Sequence, residues 1–269
     1  MKKLISCALS TILLVSSVVS AFAQAPVNYV RMEQYESKKD NVTLYTLVDD
    51  DKIRKTQTSD ENKTYTVTFD KVNRNITIEE QDLKKNSAPK VITGNLDELK
   101  KTMEAKEKSN KSLSTGETTT EAANLLTSSI NQNTFSNYEY TKWISTTNKW
   151  ELRRPEANSF NSWIYFQTYE TALNKTYLAN FKANVDKVNG LEVDCVLSGS
   201  ASLLADFLVI VVTVGEVATA GLITPAEVTA IAGALTANTV FITNCVKLST
   251  AWNDCYNDYF EVYYNSTIL

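Results

Sequence analysis

Between Lys187 and Lys247 the chain has no basic residue, and from about Gly199 to Leu248 it consists of two mostly apolar blocks that meet at Thr224-Pro225-Ala226-Glu227. The junction has the composition of a helix start. Thr224 suits the N-cap, Pro225 the first helical position where a missing N–H costs nothing, and Glu227 the capping-box position three residues on. Each block, Ala201 to Ile223 and Ala226 to Leu248, holds about 23 residues, or about 35 Å of helix, against a hydrocarbon core of ~30 Å. Two such helices form a hydrophobic hairpin. Its Gly, Ala and Thr content would let helices approach closely in lipid. Asp206, Glu216 and Glu227 interrupt the apolar surface, and a constitutive membrane span rarely carries unpaired acids. Two readings follow: a hairpin stored in a water-soluble protein for later insertion, or the buried centre of a bundle. On the first, Asp206, Glu216, Pro225 and Glu227 are the residues that govern insertion.

The chain begins with Lys2 and Lys3, an apolar run from Leu4 to Val19, and Ala21-Phe22-Ala23 before Gln24. That is the layout of a secretory signal peptide over 1–23, with the mature chain starting at Gln24 and released from the cell. Leu4-Ile5-Ser6-Cys7 imitates a lipoprotein box but precedes the apolar run instead of following it. Without the signal, 25 of the 27 basic residues remain against 31 acidic ones, a net charge of −6. This balance argues against nucleic acid and against cationic attraction to membranes. With no His, a pH response must come from carboxylates. Cys195, Cys245 and Cys255 remain, an odd number for an oxidising location. On one continuous helix Cys245 and Cys255 would be roughly 15 Å apart, too far to pair. Cys195 is then the expected partner of either Cys245 or Cys255.

From Val27 to about Thr93 the pattern is that of strands. Val42–Val48, Tyr65–Phe69 and Asn75–Glu79 are short, rich in β-branched and aromatic residues and roughly alternating, with Asp70–Arg74 as a hairpin loop. Asp49-Asp50-Asp51 could suggest calcium, but it lacks the spaced oxygen ligands and the glycine of a dedicated loop and reads as a solvated turn. Residues 96–120 form a charged and polar linker of the kind proteases cut. Beyond it, Ala122, Leu125, Leu126 and Ile130 suggest a weak helix. Tyr169, Leu173, Tyr177, Phe181, Val185 and Val188, following Trp163–Phe166, repeat by threes and fours, as do Leu248, Trp252, Cys255, Tyr259 and Val262. The expected fold is therefore α+β: a small N-terminal antiparallel β domain over 24–95, then a C-terminal helical bundle over 121–269 around the hairpin at 199–248.

Catalytic equipment is sparse. Without His there is no Ser-His or Cys-His pair, no His-ligated zinc and no HExxH. There is no P-loop and no G-x-G-x-x-G, three separated cysteines make no metal cage, and no motif nominates a pair among the 31 acids for glycosidic chemistry. No cofactor is expected. The aromatic residues from Phe135 to Tyr177 suit either a sugar-binding platform or a core.

With the signal peptide, β-rich first part, Lys/Glu linker and the segment from Gly190 through Leu248 to Asn253-Asp254-Cys255-Tyr256, the chain resembles the geobacillin type of large secreted bacteriocins of Gram-positive bacteria. The resemblance is one of layout over nearly the whole chain. It implies an antibacterial protein and offers no catalytic residues to carry over. The arrangement is also similar to that of pore-forming colicins, whose apolar hairpin is wrapped by amphipathic helices. The expected function is a secreted, non-enzymatic protein that acts on a target bacterial membrane through the hairpin, with the N-terminal part as a solubilising or inhibitory segment. The alternative is a secreted cell-surface binding protein.

Overall fold

Aspartate chemistry folds the first third of the chain. Asp60 Oδ1 accepts hydrogen bonds from the backbone N–H of Asn62 and Lys63 (2.7 and 2.8 Å), and Asp70 Oδ1 does the same for Val72 and Asn73 (2.9 Å each). Asp50 Oδ1 holds Lys52 and Ile53 at 2.7 Å. These side chains mimic a backbone turn and close successive hairpins. The acidic triplet at 49–51 thus serves as turn chemistry, and those backbone donors hold the Asp50 carboxyl below its usual range. The result is a six-stranded antiparallel meander in sequence order: β1 (Met32–Ser37), β2 (Val42–Asp49), β3 (Ile53–Ser59), β4 (Lys63–Asp70), β5 (Asn75–Asp82) and β6 (Lys90–Asn95). The strands expected from Val42, Tyr65 and Asn75 lie inside β2, β4 and β5. Helix α1 begins at residue 96 and is described to 101.

The structure, a computed structural model, describes residues 32–85, 87–101, 128–156, 159–214 and 223–269. They belong to one compact unit, Arg31–Leu269. After residue 128 the chain forms a second antiparallel sheet of β7 (Ser128–Asn133), β8 (Glu139–Ile144), β9 (Lys149–Glu156) and β10 (Ser159–Tyr169), in the order β10-β9-β8-β7. Four helices follow: α2 (Lys175–Ser198), α3 (Ala201–Val214), α4 (Pro225–Leu235) and α5 (Thr239–Tyr264). Helices α2 and α5 run antiparallel. Asn184 meets Asp258, Lys187 meets Asp254 and Asn244 meets the Asp194 carbonyl. The second sheet lies on α5, where Phe166 packs edge-on against Tyr259 and Tyr263 at 5.0 and 5.4 Å. The first sheet lies on α4. Packing therefore runs from first sheet to α4, α5 and second sheet, around a core that extends from Val42 to Val262.

This corrects the expected fold. The first sheet is a large element, not a small separate domain, and a second sheet occupies 128–169 where the sequence suggested helix. The error has a physical source. Along β10 Trp163, Tyr165 and Tyr169 take one face while Ile164, Phe166 and Thr168 take the other, so both faces are apolar and the period of two disappears. The spacing by threes and fours between Tyr169 and Val188 belongs to α2 from Tyr177 onward, where Leu178, Phe181, Val185 and Val188 are buried and the helix runs through Gly190 to Ser198. The hairpin is also shorter than expected. Residues 236–238 break the second block, Asn238 caps α5 by accepting from the N–H of Val240 and Phe241, and among the described residues no helix is long and apolar enough to cross a membrane. Nor is the apolar pair wrapped by helices, as in the colicin comparison, because one side of α4 is covered by sheet.

Candidate functional site

Helix α4 has the sequence PAEVTAIAGAL, and every residue from Ala226 to Ala234 is buried. A helix apolar all round must be surrounded, and small side chains let its neighbours come close to its backbone. Strand β3 exploits this closeness with an inverted pattern, because its inward positions are Arg54, Thr56 and Thr58, exposed by 4%, 0% and 0%. Thr56 Oγ1 donates to the Ala230 carbonyl at 3.0 Å, and Arg54 Nε donates to the Gly233 carbonyl at 2.6 Å. Arg54 also pairs with Asp49 and donates to Gln34 Oε1 at 2.5 Å. Burial pulls the Arg54 guanidinium below its ordinary range, and Asp49 opposes that pull. Beside it, a Cβ on Gly233 would collide with the Leu44 side chain. An alanine here would force the buried Leu44 side chain of β2 to shift.

The N-terminus of α4 matches the sequence expectation at Thr224 and Pro225. Pro225 occupies the first turn, and the Thr224 hydroxyl accepts from the Glu227 N–H at 3.1 Å. Glu227 is 1% exposed, under the sheet. Burial pushes the Tyr65 phenol up to about 12, and the nearby charge of Glu227 adds to that shift.

Asp206 on α3 is 5% exposed and is held by two cations from the first part of the chain. Arg74, in the β4–β5 turn, reaches it at 2.8 Å while donating also to Asp97 at 2.8 Å, and Lys100 of α1 forms the second ion pair. The first sheet and α1 thus contact the apolar pair at both ends: β3 on the α4 backbone, and Arg74 with Lys100 on the α3 acid. Glu216 falls outside the described residues.

The buried carboxylate with the clearest perturbation is one that sequence reasoning passed over. Glu192 on α2 is 0% exposed. Its oxygens accept from the N–H of Phe135 (2.7 Å), the N–H of Ser136 (3.0 Å) and the Ser136 hydroxyl (2.6 Å), while Trp252 Nε1 donates to Ser136 Oγ at 3.0 Å. Burial pushes the carboxyl up to about 7, against these hydrogen bonds, which favour the charged form. The network ties the β7–β8 turn to α2 and α5. Its only trace in the sequence is an acid at an otherwise apolar helix position.

Cys195, Cys245 and Cys255 are free and buried. The α2–α5 packing sets the Cys195 and Cys245 thiols against each other, whereas Cys255 stands apart, ten residues along α5. Burial pushes the Cys245 thiol well up, with Cys195 adding to it, and raises Cys255 as well. No family model matches the chain, and neither curated proteins nor solved structures yield a match.

Proposed function

We propose that this chain is a secreted, non-enzymatic antibacterial protein of the bacteriocin kind whose α3–α4 segment acts on a target-cell membrane. In this reading the first sheet is the cover that keeps the segment in water. The observation that carries it is the composition of the sheet–α4 contact. A mostly apolar helix buried on every side is shielded on one flank by a strand whose inward Arg54 and Thr56 bind helix carbonyls, and the acid on α3 is paired with cations of the cover. Such a contact can come apart. On separation Arg54, Thr56, Arg74 and Lys100 are rehydrated, while α4 is left with apolar surface that needs lipid or another partner. A cut in the charged stretch 96–120 would sever the covalent link between cover and segment.

The test uses dye-loaded anionic vesicles at pH 5 and pH 7, with the intact chain and with the chain nicked in 96–120. The nicked form should release dye and the intact form should release much less. No release by either form at either pH removes the membrane reading. Equal release by both removes the covering role of the sheet. A second reading, a binding protein of the cell surface, draws on the solvent-facing aromatic side of the second sheet and needs no insertion.

A further inference from the structure

The register of the second sheet sorts its aromatic residues into two sets. Tyr140, Trp150 and Phe166 turn toward α2 and α5 and are buried. Trp143, Trp163, Tyr165 and Tyr169 turn the other way, onto a face where no described helix packs; Tyr165 is 57% and Tyr169 46% exposed. The outward positions of β8, β9 and the Trp163–Tyr169 part of β10 carry no Leu, Ile, Val, Met or Phe. Between the rings stand planar hydrogen-bonding groups. Arg153 lies over Trp163 and Tyr165, with its guanidinium carbon 5.6 and 5.9 Å from the ring centroids, and is fixed by Glu139 (3.1 Å) and Glu151 (2.7 Å). Gln167 Nε2 donates to Glu151 Oε2 at 2.7 Å, and Lys149 covers Trp143 at 5.5 Å.

We infer that this face binds an uncharged glycan chain of β-linked pyranoses. Such a sugar presents a flat C–H surface edged with hydroxyls. The C–H surface suits the electron-rich face of an aromatic ring, and the hydroxyls suit donors and acceptors already oriented by their neighbours. The charges select the ligand. Glu139 and Glu151 cancel Lys149 and Arg153, so the face has no net field to attract a phosphate backbone or an anionic headgroup. The lack of aliphatic side chains argues against a lipid surface or an apolar protein partner. From Trp163 to Tyr169 the rings span about 20 Å of strand, room for several sugar units. The inference does not depend on what α3 and α4 do, because sugar binding and dye release are separate readouts.

The experiment titrates the full chain with cellohexaose and with the hexasaccharide of N-acetylglucosamine, followed by calorimetry and tryptophan fluorescence. At least one of the two should bind, with no loss on raising salt. Trp163→Ala and Tyr165→Ala should each weaken that binding tenfold or more, while Tyr264→Ala, on α5 away from this face, leaves it unchanged. Thermal melts of the variants check that the fold persists; Tyr165 is exposed enough to be removed without disturbing it. The inference is overturned if neither hexasaccharide binds at millimolar concentration, or if folded Trp163→Ala and Tyr165→Ala proteins bind as well as the parent. Salt-sensitive binding of anionic vesicles or a single-stranded oligonucleotide by this face, in place of sugar, also overturns it.

Discussion

Replacing Arg54 by Met measures how tightly the first sheet grips α4. Methionine keeps most of the aliphatic stem and removes the guanidinium. The Gly233 carbonyl then loses its donor inside the protein, which costs about 1–3 kcal/mol for an orphaned buried acceptor. Asp49 loses one partner, but its side chain is 39% exposed and keeps Lys71 at 2.7 Å, so this part stays below about 1 kcal/mol. The sum is about 1–4 kcal/mol. For roughly 240 residues folded as one unit, each kcal/mol moves Tm by about 2–4 °C, so Arg54→Met should melt about 2–16 °C lower. Circular dichroism melts report this fall, and binding of an apolar dye below the transition reports exposure of α4. A shift under about 2 °C with no added dye binding would refute the idea that β3 holds α4 through its backbone.

Glu192 should impose a pH dependence. Its carboxyl keeps a proton up to about pH 7 in the folded chain and loses it near 4.5 in the unfolded one. Its stabilisation is therefore complete below about pH 4.5 and fades as pH rises through 7, a change of about 3 kcal/mol. Glu192→Gln should flatten urea stability between pH 5 and 8; an unchanged slope assigns the effect elsewhere. Around Asp206, Arg74→Ala should cost little while Lys100 remains, whereas the double replacement strands a buried charge at about 3–5 kcal/mol. Additive denaturation midpoints would contradict a shared partner. Iodoacetamide should leave Cys195, Cys245 and Cys255 unmodified in the folded chain, because all three are buried and burial raises the Cys245 and Cys255 thiols, and should alkylate all three once urea unfolds it. A mass spectrum that finds any of them alkylated at the same rate with and without urea refutes the thiol placement.

Local chemistry was legible in the sequence wherever it acts over a few residues. The Thr224-Pro225 helix start, the Asp-led turns and the strands at Val42, Tyr65 and Asn75 depend on neighbours within one turn or one hairpin, and all occur as read. The apolar stretch also fixed that α4 must be surrounded, though not by what. Only the tertiary structure decided that the cover is a sheet, because β3 meets it with Arg54 and Thr56, inward polar side chains that find their acceptors in the Gly233 and Ala230 carbonyls of α4. The same holds for the second sheet, whose apolar residues point both ways until register separates the core face from the open one. Asp206 and Glu192 looked alike as acids among apolar residues. Their partners come from 132 and 56 positions away, and electrostatic energy at that remove is set by the three-dimensional packing of the chain, which no local pattern encodes.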